Sequence, residues 1–118
     1  MKARCKTAVI NTTDPECPLR YLDLTVGKVY RVYAIEEDHF RLVGDDGYPF
    51  LYPSHAFQIV DPAPGTGWVK MVDEDGETTF GPPGLYEPDL IEDYFECVKE
   101  AGEKVKRYIP KAKWPRWP

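Results

Sequence analysis

The sequence predicts a mainly β protein with one C-terminal α-helix, an α+β domain, and three observations carry that expectation. Apolar runs of β-branched and aromatic residues, separated by turn residues, fill positions 28–60. A second pair of such runs flanks an Asp-Gly turn within 68–80. An apolar stripe recurring at steps of three and four residues then runs through 89–109.

Taken in order, Arg4 to Ile10 reads as a first strand, with Cys5, Thr7 and Val9 on one face and Lys6, Ala8 and Ile10 on the other. A polar, proline-punctuated loop follows, Asn11 to Pro18. Leu22 and Leu24, two residues apart, are expected to point inward together. Lys28 to Glu36 is the longest strand; Tyr30, Val32 and Ala34 alternate with Val29, Arg31, Tyr33 and Ile35. Both of its faces are partly apolar, so both should be covered. Phe40 to Val43 and Tyr48 to Tyr52 form a hairpin around Gly44-Asp45-Asp46-Gly47, where Asp and Gly tolerate positive φ. Pro53 to Phe57 is long enough for one 3-10 turn, and Gln58 to Val60 is a last short strand.

These residues resemble an SH3-like barrel. The likeness rests on Leu22-x-Leu24-x-x-Gly27-x-x-x-Arg31-Val32, the charged loop, Phe40-Arg41, the glycine turn and Tyr52-Pro53-Ser54 before a closing apolar strand. It covers residues 1–61 and implies a small five-stranded barrel. Peptide-binding members of that fold carry aromatic residues where this chain has Thr7-Ala8-Val9, His39 and Ala56-Phe57. A polyproline groove needs aromatic walls, so the resemblance implies the fold and not that activity.

Residues 62–118 are expected to pack on the barrel as part of one globular unit. The linker from Asp61 to Gly67 is rich in Pro and Gly. Trp68 to Val72 and Thr78 to Phe80 form a hairpin around Asp73-Glu74-Asp75-Gly76, which should pack on the barrel or add to its sheet edge because an isolated hairpin is marginal in water. After Gly81-Pro82-Pro83-Gly84, one amphipathic helix is predicted from Asp89 to Ile109. Asp89 and Glu92 would make a capping box, and Pro110 would stop the helix. Ile91, Phe95, Val98, Val105 and Ile109, flanked by Leu90, Tyr94 and Tyr108, make the stripe. Gly102 should weaken it by about 1 kcal/mol relative to Ala.

Charge gives the functional expectation. The net charge is -5. Between 73 and 100 stand Asp73, Glu74, Asp75, Glu77, Glu87, Asp89, Glu92, Asp93, Glu96 and Glu100 against Lys99 alone. Glu92, Glu96 and Glu100 at i, i+4 and i+8 would stack on one helix face, an arrangement that costs helix stability. Such a surface disfavours nucleic acid and favours a cationic protein partner. The partner-binding candidates are therefore Asp73, Glu74, Asp75, Glu92, Asp93, Glu96 and Glu100, with Trp68, Tyr33 and Tyr48 as aromatic contacts. An adaptor reading would use Tyr33, Tyr48, Tyr52 and Trp68. The tail from Pro110 to Pro118, with Lys111, Lys113, Arg116, Trp114 and Trp117, would dock on its own acidic body or meet a partner, nucleic acid included.

No Ser, Cys or His lies in a nucleophile motif, so no enzyme activity and no cofactor are expected. Cys5, Cys17 and Cys97 lack a paired spacing and read as free thiols. A metal set of Cys5, Cys17, His39 and His55 has no pre-positioned pair, and the Asp73 to Glu77 tip lacks the ligand spacing of a calcium loop. With no long apolar run and no signal-like N-terminus, the expectation is a soluble, cytoplasmic protein. The Trp-led hairpin, the Pro-Gly break and Glu87-Pro88-Asp89-Leu90-Ile91-Glu92-Asp93-Tyr94-Phe95-Glu96 resemble small bacterial immunity-type proteins encoded beside secreted toxins. That resemblance implies an antitoxin, an acidic domain that occludes a toxin's active site.

Overall fold

The computed structural model describes residues 1–115 and is mainly β with a C-terminal helix pair. Its strands are β1 (Lys2–Cys5), β2 (Val9–Asn11), β3 (Leu19–Tyr21), β4 (Val29–Glu36), β5 (His39–Val43), β6 (Pro49–Pro53), β7 (Phe57–Asp61), β8 (Val69–Val72) and β9 (Thr78–Gly81). Two 3-10 turns, Ser54–Ala56 and Pro83–Tyr86, and two helices, α1 (Leu90–Phe95) and α2 (Lys99–Tyr108), complete the chain. No helix among the described residues is long and apolar enough to cross a membrane.

The main sheet is antiparallel throughout and runs β6-β5-β4-β1-β7, with β9 paired to the far half of β4 and β8 outside it. The end strands β6 and β7 are not joined among the described residues, so the sheet is open and no barrel is closed. Of the two expected placements the second hairpin takes the sheet, through Ile35 opposite Phe80 and Glu36 opposite Thr79. The predicted strand from Arg4 to Ile10 is instead split. Lys6 and Thr7 both donate their N–H to the Ala56 carbonyl, which turns the chain there, and Val9–Asn11 pairs separately with Leu19–Tyr21.

The first core lies inside the curved sheet and contains Ala3, Cys5, Leu22, Leu24, Val32, Phe40, Leu42 and Phe57. Leu22 and Leu24 do point inward together. The second core covers the outer face of β4, where Tyr33 meets Leu85, Leu90, Tyr94, Ala101, Val105, Ile109 and Ala112. Strand β4 does not keep the simple alternation read from its sequence. A register shift against β5 between Val32 and Ala34 leaves Tyr33 as the extra residue, and such a bulge reverses which face the following residues take. Tyr30 and Val32 face the first core, and beyond the bulge so does Ile35. Glu36 consequently sits on the helix side.

One continuous helix is replaced by two. The break is a Schellman-type turn: the Val98 N–H donates to the Asp93 carbonyl at 3.0 Å and that of Cys97 to Tyr94 at 3.1 Å. Cys97 occupies the left-handed position with φ 66°. A non-glycine residue there costs about 1–2 kcal/mol. Cys97→Gly is therefore expected to raise stability by about 0.5–1 kcal/mol after glycine's extra chain entropy is deducted. Urea unfolding checks this, and a destabilised variant would contradict the reading. The predicted capping box also fails. Asp89 has φ 63° and makes no side-chain capping bond, because that bond requires extended backbone at the cap.

Gly102 has a packing role as well as being a weak point, since the Trp114 ring lies over it and a Cβ there would have to displace that ring. The segment 109–114 that follows α2 folds back onto the body. Lys113 donates its N–H to the Gly47 carbonyl at 2.9 Å, the Tyr94 hydroxyl donates to the Lys113 carbonyl, and Lys106 Nζ donates to the carbonyls of Pro110 and Ala112. Arg116, Trp117 and Pro118, on which part of the tail reading rests, lie outside the described residues.

Candidate binding surfaces

The acidic candidates are on the outside. Asp73, Glu74, Asp75, Glu92, Glu96 and Glu100 are exposed and Asp93 is half-buried. None of these seven is ion-paired with a described residue; the pairs formed are Lys28–Asp45, His39–Asp38, Arg41–Glu36 and Lys104–Glu87. The Asp73–Glu77 tip is a hairpin turn held by its own first residue. Asp73 Oδ1 accepts from the N–H groups of Asp75 and Glu77, both at 2.9 Å, and Gly76 supplies positive φ. The tip stands beside the β4–β5 turn, because Thr78 donates to the Glu37 carboxylate at 2.6 Å and Glu37 N–H to the Thr78 carbonyl at 2.9 Å. Its acidic surroundings thus gain Glu37 and Asp38.

The single stacked row of Glu92, Glu96 and Glu100 does not form. Glu92 lies in α1, Glu96 caps its C-terminal end and Glu100 opens α2. The turn at Cys97 lies between the last two, so a 3.6-residue period cannot be carried across it.

The aromatic candidates are used mainly for internal packing, which corrects the sequence reading. Tyr33 is 7% exposed and belongs to the second core. Trp68 is half-buried, packs edge-on against Phe80 at 5.2 Å and leans on the first core. Tyr48 is half-buried, with its ring 6.1 Å from Phe50 and the Lys113 ammonium 6.0 Å above it. Tyr52 is buried as well. Cys5, Cys17, His39 and His55, which the sequence does not mark as a metal set, form no such group, and no group of three or more metal-ligating side chains exists among the described residues. All three thiols are free, and burial pushes the Cys5 thiol up.

Two polar arrangements escaped the sequence reading. On the helix side of the sheet, Arg41 is only 6% exposed. It donates to Glu36 Oε2 through Nε at 2.8 Å and approaches it through Nη2 at 2.6 Å, while Nη1 donates to the Pro49 carbonyl at 2.7 Å. Tyr86, in the second 3-10 turn, donates its hydroxyl to the same Glu36 oxygen at 2.6 Å. Burial drives the Tyr86 phenol well above its ordinary pKa, which keeps it a donor. At the opposite end of the sheet, Asp45 accepts from the hydroxyls of Thr25 at 2.6 Å and Tyr30 at 2.7 Å, and from Lys28 at 3.1 Å. The Thr25 and Tyr30 bonds hold its carboxyl below the usual range, and burial raises Tyr30 to about 12. These groups pin the Leu22–Thr25 segment to the β5–β6 turn. There Gly44 is required, because a Cβ would run into the Tyr52 hydroxyl.

An open groove of about 590 Å³ lies between the β2–β3 hairpin, β6 and α1. Tyr21, Phe50, Leu51 and Ile91 supply apolar lining, and Arg20, Asp23, Arg41 and Asp46 supply charge. Its volume lies in the range of ordinary ligand sites. Only Ile91 and Phe95 of this lining could be expected from the helical stripe, and the hairpin wall had no sequence signal beyond one exposed aromatic. In comparisons with protein-family models, curated proteins and solved structures, nothing matches this chain.

Proposed function

We propose that this protein is a non-catalytic binding protein that holds a cationic protein partner, an antitoxin or immunity protein being its most concrete form. The observation that carries this reading is the set of exposed carboxylates on the β8–β9 tip and the helix pair. None of Asp73, Glu74, Asp75, Glu92, Asp93, Glu96 and Glu100 forms an ion pair with a described residue, and all but the half-buried Asp93 are exposed. A surface region rich in unpaired carboxylates on a chain of net charge -5 accelerates encounter with a cationic partner. The finer fold reading belongs with this one. The path β6-β5-β4-β1-β7, with a 3-10 turn between β6 and β7, supports an SH3-like unit whose sheet stays open.

Coexpression with the product of the adjacent gene tests the function. The expected result is a complex whose association slows as salt rises from about 50 to about 300 mM, where the Debye length shortens. Charge reversal of Glu92 and Glu96 to Lys should reduce the association rate by roughly tenfold. Association unaffected by either change would remove the acidic surface from the mechanism.

A further inference from the structure

We infer that the groove between the β2–β3 hairpin and α1 is the anchor site for an arginine side chain, presented with aliphatic neighbours on an extended segment of the partner protein. This deepens the binding reading given above and rests on it for the nature of the partner. Three features of the groove point to this occupant.

The first is an exposed aromatic wall. Tyr21 is 77% exposed, the most exposed large apolar residue among those described, and its ring has no aromatic, cationic or hydrogen-bonding partner among the described residues. Aromatic faces left open beside a concavity are characteristic anchors for a partner. They also suit a guanidinium, which is planar and weakly hydrated and stacks on such rings.

The second is unmatched negative charge. Asp23 and Asp46 line the groove, and neither has an ion pair with a described residue. Asp46 accepts one bond, from the Tyr48 N–H at 2.9 Å through Oδ1, and its second oxygen accepts none from the described residues. Of the two arginines in the lining, Arg41 is already matched by Glu36 at 2.6 Å. Arg20 remains, so the uncompensated groups are two carboxylates against one guanidinium.

Third, Tyr52, a residue of the first core, also borders the groove, and its hydroxyl, beside Gly44 at the β5–β6 turn, has no hydrogen-bond partner among the described residues and is not sealed from solvent. Burial, followed by the nearby charges of Asp46, Asp23 and Asp45, pushes this phenol far above its ordinary range. The hydroxyl is therefore neutral and can accept a hydrogen bond, and the field around it is negative. A cation placed there is attracted by both carboxylates, and five N–H donors serve several acceptors at once.

The test uses the full chain and two acetylated, amidated tripeptides, Leu-Arg-Leu and Leu-citrulline-Leu. Citrulline keeps the shape of arginine and removes its charge. In a ¹H–¹⁵N NMR titration, Leu-Arg-Leu should shift the amides of Tyr21, Asp23, Asp46 and Phe50 in a saturable manner, and the citrulline peptide should bind at least about fivefold more weakly. Asp46→Asn and Asp23→Asn should each weaken the arginine peptide by about fivefold, whereas Arg20→Gln should tighten it by roughly threefold. Asparagine at 46 still offers an oxygen to the Tyr48 N–H, and the melting temperature of each variant reports whether the fold is retained.

Equal affinity for the two peptides would overturn the proposal. So would shifts confined to the 73–77 tip or the helix carboxylates, or an arginine affinity unchanged in both Asp variants. Loss of the acidic-surface mechanism would show separately, in the salt and Glu92/Glu96 experiments on the protein complex, without altering these peptide titrations.

Discussion

Replacing Tyr94 with alanine is expected to destabilise the protein by about 3–5 kcal/mol, the range for deleting a large buried aromatic side chain. For a chain of this length that corresponds to a melting temperature lower by about 12–20 °C. Tyr94 is wholly buried in the second core. Its ring packs edge-on against Phe95 at 5.0 Å, and its hydroxyl donates to the Lys113 carbonyl. One side chain therefore joins α1 to the segment that follows α2. Burial raises its phenol to about 12, so the donor persists across ordinary pH.

Tyr94→Phe separates the two roles. It keeps the ring and deletes the bond to the Lys113 carbonyl, at a cost of about 1–2 kcal/mol. Hydrogen exchange at the Lys113 N–H, which bonds Gly47, should then quicken more than exchange in β4 and β5. A Tyr94→Ala variant within about 1 kcal/mol of the parent would show that the second core does not hold the helix pair.

Glu36→Ala should cost about 2–3 kcal/mol, because it leaves Arg41 charged and nearly sealed from water and deprives the Tyr86 hydroxyl of its acceptor. The value falls at the lower end for a broken buried pair, since the Glu36 side chain keeps 25% of its surface in water and solvent can partly take its place. Tyr86→Phe should cost about 1 kcal/mol. The informative variant is the double replacement of Glu36 by Ala and Arg41 by Met. Removing both charges removes the stranded guanidinium, so the double variant should be more stable than Glu36→Ala alone. If Glu36→Ala behaves like a surface substitution, within about 0.5 kcal/mol, the triad is not a structural tie.

Much of the fold was legible in local pattern. The β5–β6 and β8–β9 hairpins follow from alternating apolar runs around Asp-Gly turns, and Gly47 and Gly76 take the positive φ such turns need. Leu22 and Leu24 are buried as their spacing of two implies. The apolar second face of β4 required a cover, and Tyr33 is covered by the helix pair. The candidate surfaces were half legible. Charged positions stay at the surface because burying them is costly, so the carboxylates lie where their sequence places them. The aromatic positions do not announce themselves in this way. Tyr33 and Tyr52 serve equally well in a core, and Tyr21, which received no role, is the exposed one.

The sequence by itself determined the β4–β5–β6 and β8–β9 strands with their turns, the apolar second face of β4 and the placing of the acid at 73–100, since each depends on residues within a few positions of one another. Only the tertiary structure decided the bulge at Tyr33, the left-handed Cys97 that divides the helix, the Arg41–Glu36–Tyr86 tie and the groove beside Tyr21. The physical reason is separation along the chain. Glu36 and Tyr86 stand 50 residues apart, and Tyr94 bonds to a carbonyl 19 residues away. The free energy of closing such contacts exceeds the few tenths of a kcal/mol per residue by which local propensity prefers a longer helix or an unbroken alternation. Packing between distant segments therefore overrode the local pattern at these few positions.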